Sequence, residues 1–549
     1  MSTSPEAPCV LAIDLGSSGP KVALVDARGE IVARTSGSVA IKLTADGGGE
    51  QDPEDWWRST TACVRALLRD SGIAREQIAA VSCASQWSVT VPVDRTGRHL
   101  MNAIHWTDSR GAVYTKRVTN GRIKVAGYGI RQLVRWVRLT GGAPTDSGAD
   151  ALAHMLFILH ERPEVYRQTY KLLEPSDYLN LRLTGRAVAS YATVFPYLLT
   201  DNRDNTRVRY DDKLIAWCGI DRDKLPELLP VGTVLGTLLP AAAEAWGLSA
   251  ATPVIGGTPD SQAAALGSGA VRDYEAHVCL GTTAWLSCHV PFKKTNLLHY
   301  VATMPSAIHG RNMVAAEQGA AGRCLGAFVD QWLFPSDELN IAGTPADVYE
   351  RIERLVRAVP AGSEGLLFMP WLNGAGPPSG ESAIRGGFLN QSLRTTRSHA
   401  LRAIMEGVAF NLRWLRWSVE RFVGRKFESL NLIGRCARSD TWCQIMADVL
   451  DRPIHRMSDP EMATSRGAAL AAWVALGRVR VDEIPGLVRR EATFLPQSSH
   501  RRLYAKLFDE LLSGYKATRP IYRRLNGPRP PQIISAPVQR FSGDSCRGV

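Results

Sequence analysis

Asp14-Leu-Gly-Ser-Ser-Gly-Pro-Lys21 and, about half a chain later, Leu280-Gly-Thr-Thr283 carry the reading of the fold. The first lies between the apolar run 10–13 and a second run, 21–26. Ala27-Arg28-Gly29 then turns the chain into a third segment, 30–34. The later stretch repeats the plan, with apolar residues at 278–280 and again at 285–290. Strand, small-hydroxyl turn, strand therefore occurs twice, and that recurrence predicts an internal duplication. Each stretch by itself is also what an ordinary hairpin looks like.

Four loops could carry chemistry. In the first, Gly16 and Gly19 allow the backbone close to a ligand, and Ser17 and Ser18 can cradle phosphate oxygens. Asp14 could hold Mg²⁺ and Lys21 could offset phosphate charge. This is no Walker A loop, because it lacks GxxxxGK[ST] and leads into a strand. In the second, Pro253-Val-Ile-Gly-Gly-Thr-Pro-Asp260, a strand runs into a turn and an alanine-rich helix begins near Asp260. A carboxylate at the positive end of a helix should stay ionised and suits a general base, though an ordinary N-cap reads the same way. In the third, a strand ends at Gly434 and a helix begins near Ser439 or Asp440, a crossing that can hold adenine or phosphates. The fourth pairs Ser85-Gln-Trp-Ser88 with Ala103-Ile-His-Trp-Thr-Asp-Ser-Arg110. Trp106 could stack on a sugar face while Asp108 and Arg110 hydrogen-bond its hydroxyls. Trp87 and Trp106 are equally readable as core residues.

Elsewhere the helical spacing is plain. A helix over 56–69 is predicted to start at Asp52 or Pro53. A longer one starts at Ser398, with Leu401, Ile404, Met405, Val408, Ala409, Leu412 and Leu415 on one face. Segments 81–85 and 89–93 read as buried strands. The chain has 549 residues with 45% hydrophobic content, enough for two large domains. Its ten cysteines form no CxxC pair or zinc-ligand cluster, which predicts reduced thiols. The N-terminus is too polar for a signal peptide, and no run of about 18 apolar residues occurs. The net charge is +12, with a denser basic stretch from Lys116 to Arg138. No nucleic-acid-binding motif accompanies it, so the basic surface is read as one that attracts anionic nucleotides. Proline-rich residues after Asn526 are expected to be a disordered tail.

Taken together, the loops resemble those of the FGGY carbohydrate kinases, in the same order along the chain. The likeness continues in Pro175-Ser-Asp-Tyr-Leu-Asn-Leu-Arg-Leu-Thr-Gly185, Gly365-Leu-Leu-Phe-Met-Pro-Trp-Leu-Asn-Gly374, Arg385-Gly-Gly-Phe388 and Ala403-Ile-Met-Glu-Gly-Val-Ala409. It spans about residues 9–480 and is strongest to the xylulokinase-like branch. The resemblance implies an α/β fold of two ribonuclease-H-like domains of the actin/hexokinase-like ATPase type with an interdomain cleft, divided into 1–269 and 270–525, with the tail at 526–549. It implies ATP-dependent phosphorylation of a small sugar or polyol by a cytoplasmic enzyme using Mg²⁺, without nucleic-acid or membrane partners; a homodimer is left open. By position, Asp260 resembles the catalytic base. Asp14, Gly16, Ser17, Ser18 and Lys21 fall on the first phosphate and metal loop, and Gly281, Thr282 and Thr283 on the second. Gly434, Arg435 and Ser439 fall on the adenosine loop. Gln86, Trp87, Trp106, Asp108 and Arg110 fall on the sugar side.

Three departures stand out. Trp87-Ser88-Val89 occupies the place of a common Met-His-Gly, which implies a different sugar pocket. Asn390-Gln391 replaces a Gly-Leu. Gly434-Arg435-Cys436-Ala437 replaces Gly-Gly-Gly-Ala, putting two side chains where backbone should approach the nucleotide. That last change is the basis for an alternative reading, a catalytically weakened sugar- or nucleotide-binding protein of the same fold. An ATPase of the same superfold acting on protein partners is a third reading, opposed by the sugar-side segments.

Overall fold

The computed structural model describes residues 7–125, 127–297, 299–338 and 343–527. In the first half, β1 (Cys9–Gly16), β2 (Gly19–Asp26) and β3 (Ile31–Ser36) form an antiparallel meander. Then β4 (Ile78–Ser85), β5 (Val234–Thr237) and β6 (Pro253–Pro259) complete a sheet of order β5-β6-β4-β1-β2-β3. In the second half, β7 (Ala276–Leu280), β8 (Thr283–Val290) and β9 (Asn312–Ala320) repeat the meander. They are followed by β10 (Leu430–Ile433), β11 (Ile454–Met457) and β12 (Arg490–Phe494). The core of this second sheet is ordered β9-β8-β7-β10-β11-β12, with two short strands outside β9. The meander and the two parallel strands beside it therefore have one order in both halves, while the edge strand differs: β5 precedes β6 in the chain and β12 follows β11.

Alternation along β1 explains how each face of the first sheet is covered. Leu11, Ile13 and Leu15 point to the face under α1 (Pro53–Ser71), where Trp56, Val64 and Leu67 close the core. The helix is capped by Asp52, as its sequence predicts. Val10, Ala12, Ala23, Ala80 and Ala84 face the other way, and their small side chains admit two further helices. These are α2 (Asp260–Gly267), after β6, and α4 (Ala463–Ala475), after β11; α3 (Arg397–Val423) covers the second sheet. All seven apolar positions read from the sequence of α3 are buried.

The two duplicated helices, α2 and α4, cross glycine on glycine. A Cβ on Gly267 would stand 1.7 Å from the Ala463 carbonyl oxygen, and one on Gly467 would stand 1.7 Å from that of Ala263. This reciprocal contact, with the buried Arg466 reaching the carbonyls of Gly29 and Gly267, is where the lobes share a core. The nine described cysteines are free and eight are buried. No described helix is long and apolar enough to cross a membrane. The helix Arg501–Asn526 ends at the start of the expected tail, and residues 528–549 lie outside the described part of the chain.

Candidate active site

Strand register assembles the site. β1, β4 and β6 are parallel, with Leu15 beside Ser85 and Ser85 beside Pro259. Their carboxyl ends therefore deliver the Gly16 turn, Gln86 and Asp260 to one edge. In the second sheet Cys279 pairs with Ile433, so the Gly281 turn and Gly434 emerge side by side. Gly434 has φ 95°, and a Cβ there would strike the Leu280 carbonyl oxygen at 2.5 Å. Only glycine fits so close to the neighbouring strand.

Asp14 and Lys21 face each other across the β1–β2 hairpin and form an ion pair of 3.1 Å. Asp14 raises the Lys21 pKa, against the opposing effect of burial. Asp260 opens α2, with Pro259 as the capping residue. The sequence reading expected this carboxylate to stay ionised; instead its pKa is pushed up to about 7. Desolvation is the main cause, reinforced by Asp14 and then Glu317, and it outweighs the favourable field of a helix only eight residues long. Glu317, from β9, accepts a hydrogen bond from Thr283 and so brings the second lobe to Asp260. It was missed in the sequence because a lone glutamate on a strand carries no signal. Thr258, Ser261 and Gln262, all flanking Asp260, each keep a buried side-chain oxygen without a partner among the described residues.

Ser17 is occupied differently from expectation. Its hydroxyl donates to Gln86 Oε1 at 2.7 Å and accepts from Trp106 Nε1 at 2.9 Å. Gln86 Nε2 donates to Gln51 Oε1, and Gln51 Nε2 returns to the Ser17 carbonyl. The network ties the first turn to the sugar-side segments, and Gln51 is a member the sequence did not reveal. Ser17→Ala removes both bonds, each worth about 1 kcal/mol net. The KM for sugar should rise about tenfold with a smaller change in that for ATP; steady-state kinetics varying each substrate checks the split, and an effect confined to ATP would contradict it.

Asp108 and Arg110 do not present free polar groups. Asp108 is fully buried and accepts from the Gly49 and Arg110 amides, while Arg110 also pairs with Glu50 at 2.8 Å and lies over the Phe157 ring. These groups already have protein partners, so a sugar hydroxyl would have to add to these bonds or displace them. Trp87 packs on Phe195 at 5.6 Å between ring centroids and donates to the Thr193 carbonyl. Met304, Met313 and Ala315 of the second lobe complete its surroundings. Ser18 and Thr282 are exposed at the tips of the two turns.

At the third loop, a tight turn, Arg435–Arg438, separates Gly434 from the helix Asp440–Leu450. Ser439 caps that helix, accepting from Trp442 N and donating to Glu353. Arg435 is exposed, while Cys436 lies inward, its sulfur 3.8 Å from the Gly281 carbonyl oxygen. The turns at Gly16 and Gly281 are open: a Cβ on either meets nothing nearer than 3.7 Å. That leaves room for phosphate oxygens against backbone N–H groups. Among the described residues no three His, Cys, Asp or Glu side chains are arranged to hold a metal. Asp14 is nonetheless a carboxylate of the kind Mg²⁺ takes, since that ion ordinarily uses one or two and completes its shell with water and phosphate.

Comparison with known proteins decides the family. Residues 9–267 match the FGGY family of carbohydrate kinases, N-terminal domain, and residues 277–476 match its C-terminal domain. The chain belongs to the FGGY family of carbohydrate kinases. This kinase is 28% identical to the xylulose kinase of Bacillus subtilis (strain 168), across 93% of the chain and 97% of that protein. It is 29% identical to the glycerol kinase of Thermus brockianus, across 90% of the chain and 95% of that protein. Among solved structures, the xylulose kinase of Rhodospirillum rubrum superposes with a TM-score of 0.77 at 23% identity, covering 94% of the chain and all of that protein. The gluconate kinase of Lactobacillus acidophilus does so at 0.80 and 21%, again covering 94% and all of that protein. The fold of the kinase is the two-domain actin/hexokinase-like one.

Proposed function

We propose that this kinase transfers the γ-phosphoryl group of ATP to a hydroxyl of a small sugar or polyol, with Asp260 accepting the hydroxyl proton. The observation that carries this reading is Asp260 itself. It stands at the edge where both sheets converge, and its pKa of about 7 matches a base working near neutrality. The division proposed at residues 269 and 270 falls between the last strand of the first sheet and the first strand of the second, with the reacting groups between the two. The relatives named for xylulose and glycerol support a small polyhydroxy acceptor, and the bacterial xylulose kinases support a cytoplasmic setting.

Within this scheme the backbone of the Gly16 and Gly281 turns holds phosphate oxygens from opposite lobes. Asp14 would hold Mg²⁺ beside Asp260, and Lys21 balances the carboxylates. Mg²⁺, when bound, neutralises charge on the phosphates, which is most of what this chemistry asks of a protein. Asp260 takes the proton at its carboxylate oxygen. Trp87 and Phe195 wall the acceptor side with aromatic surface, so the pocket differs from one built on Met-His-Gly. Gln86 and Trp106 act through the Ser17 network that fixes the turn. Bringing the lobes together about the α2–α4 contact excludes water, the competing acceptor.

The weakened-binder alternative rests on Arg435 and Cys436; Arg435 is exposed, and Cys436 turns inward to the Gly281 carbonyl. Nothing in the arrangement of Asp14, Asp260 or the two turns favours that alternative. An exposed guanidinium beside a nucleotide can reach phosphate oxygens. Arg435→Gly should weaken ATP binding several-fold in calorimetric titration, whereas tenfold tightening, roughly 1.4 kcal/mol, would mean that the side chain obstructs the site. Wild-type protein that binds no ATP would end the kinase reading.

A further inference from the structure

Between Asp108 and Asp146 the chain has eight cationic residues and no carboxylate. Arg110 and Arg135 are consumed by Glu50, Asp108 and Asp211. The other six, Lys116, Arg117, Arg122, Lys124, Arg131 and Arg138, are exposed and form no ion pair among the described residues. The fold places large aliphatic residues among them. Val113, Ile123, Val125, Ile130 and Val134 are all exposed, Ile123 at 68% and Val134 at 58%.

Backbone hydrogen bonds tie these segments to one another. The Ile130 amide donates to the Ile123 carbonyl, and the short ladder of Lys124–Val125 with Tyr128–Gly129 lies between the helices Ala112–Val118 and Ile130–Thr140. On the second helix Arg131, Val134 and Arg138 recur at helical spacing on the outer face, while Leu133, Trp136 and Leu139 are buried. Val113, Lys116 and Arg117 make a similar stripe on the first. Three carboxylates approach from elsewhere: Asp211, held by Arg135; Glu161, bonded by Tyr114; and Asp146, near Gly127.

We infer that this face docks on an anionic lipid surface. Exposed aliphatics interleaved with unpaired cations are what a shallow interfacial contact requires: the apolar side chains enter the headgroup boundary and the cations meet lipid phosphates. A second copy of the chain would bring like charges together. A single-stranded nucleic acid would call for stacking aromatics, and a duplex would leave the interleaved aliphatic residues without apolar partners. The inference does not depend on the catalytic reading, because none of these residues belongs to the site.

The test is co-sedimentation with vesicles of equimolar phosphatidylglycerol and phosphatidylcholine, against vesicles of phosphatidylcholine alone. The full chain should sediment with the anionic vesicles only, and binding should weaken with salt. Each Lys or Arg near such a surface contributes roughly fivefold, so Lys124→Glu, Arg131→Glu and Arg138→Glu together should lower binding by about a hundredfold or more. Ile123→Ser with Val134→Ser should abolish the binding that survives at high salt. Both variants should keep wild-type sugar phosphorylation, which reports that they are folded. Failure of active wild-type protein to sediment with anionic vesicles, equal binding to neutral vesicles, or unchanged binding by the charge variant would each overturn the proposal. So would binding to single-stranded RNA that outcompetes the vesicles, or a dimer in solution that buries this face.

Discussion

Asp260→Asn lowers turnover by about 10²–10⁴-fold while leaving ATP affinity close to that of the unaltered kinase. The variant keeps the shape of the side chain and loses the proton acceptor. The sign of the pH dependence follows from the same group. The base works deprotonated and its pKa is raised to about 7, so activity should rise with pH and level off above about 7. Below that pH it should fall about tenfold per unit, as protonated Asp260 accumulates. The Asn variant should lack this limb. Pre-steady-state and steady-state rates across pH, with calorimetry for ATP, measure all three quantities. Near-normal phosphorylation by the variant would remove Asp260 from the mechanism, and a limb near pH 4 would show that burial and Asp14 do not act on it as described.

Gly467→Ala should cost about 3 kcal/mol or more of stability, at or beyond the upper end of ordinary overpacking. The added methyl would sit 1.7 Å from the Ala263 carbonyl oxygen and 2.8 Å from the Gly267 amide nitrogen, both of them backbone. No side chain can swing aside to relieve that contact, so the α2–α4 pair must separate. Because α4 also packs on the first sheet, the strain spreads into the core the lobes share. Gly267→Ala should behave alike, since the contact is reciprocal. Urea unfolding measures the loss. Stability within about 0.5 kcal/mol of wild type, the range of an ordinary surface change, would contradict the packing described.

The fold was legible where a signal is local. The two hydroxyl-bearing turns between apolar runs identified the paired sheets, Asp52 marked the start of α1, and the helical spacing after Ser398 marked α3. Asp260 could be picked out because a strand, a Gly/Pro turn and an alanine-rich helix surround it. The glycine crossing was not legible, since Gly267 and Gly467 lie far apart in sequence in alanine-rich helices with little periodicity. Ser17 illustrates a different limit: its hydroxyl looks the same in sequence whether it meets phosphate or Trp106 and Gln86. Asp108 and Arg110 read as free groups for a sugar, because Glu50 and Gly49, which bond them, lie much earlier in the chain. The raised pKa of Asp260 depends on desolvation and on Asp14 and Glu317, which converge on it from both lobes, so the sequence alone could not show it.

The most direct measurement is release of ADP from ATP and Mg²⁺ by the purified kinase, with and without each of a panel of ketoses, aldoses and polyols. The account predicts that at least one small sugar or polyol raises ADP release far above the sugar-free rate and is recovered as its phosphate ester, with Asp260→Asn abolishing the increment. ADP release that no member of the panel stimulates, from protein that binds ATP, would contradict it.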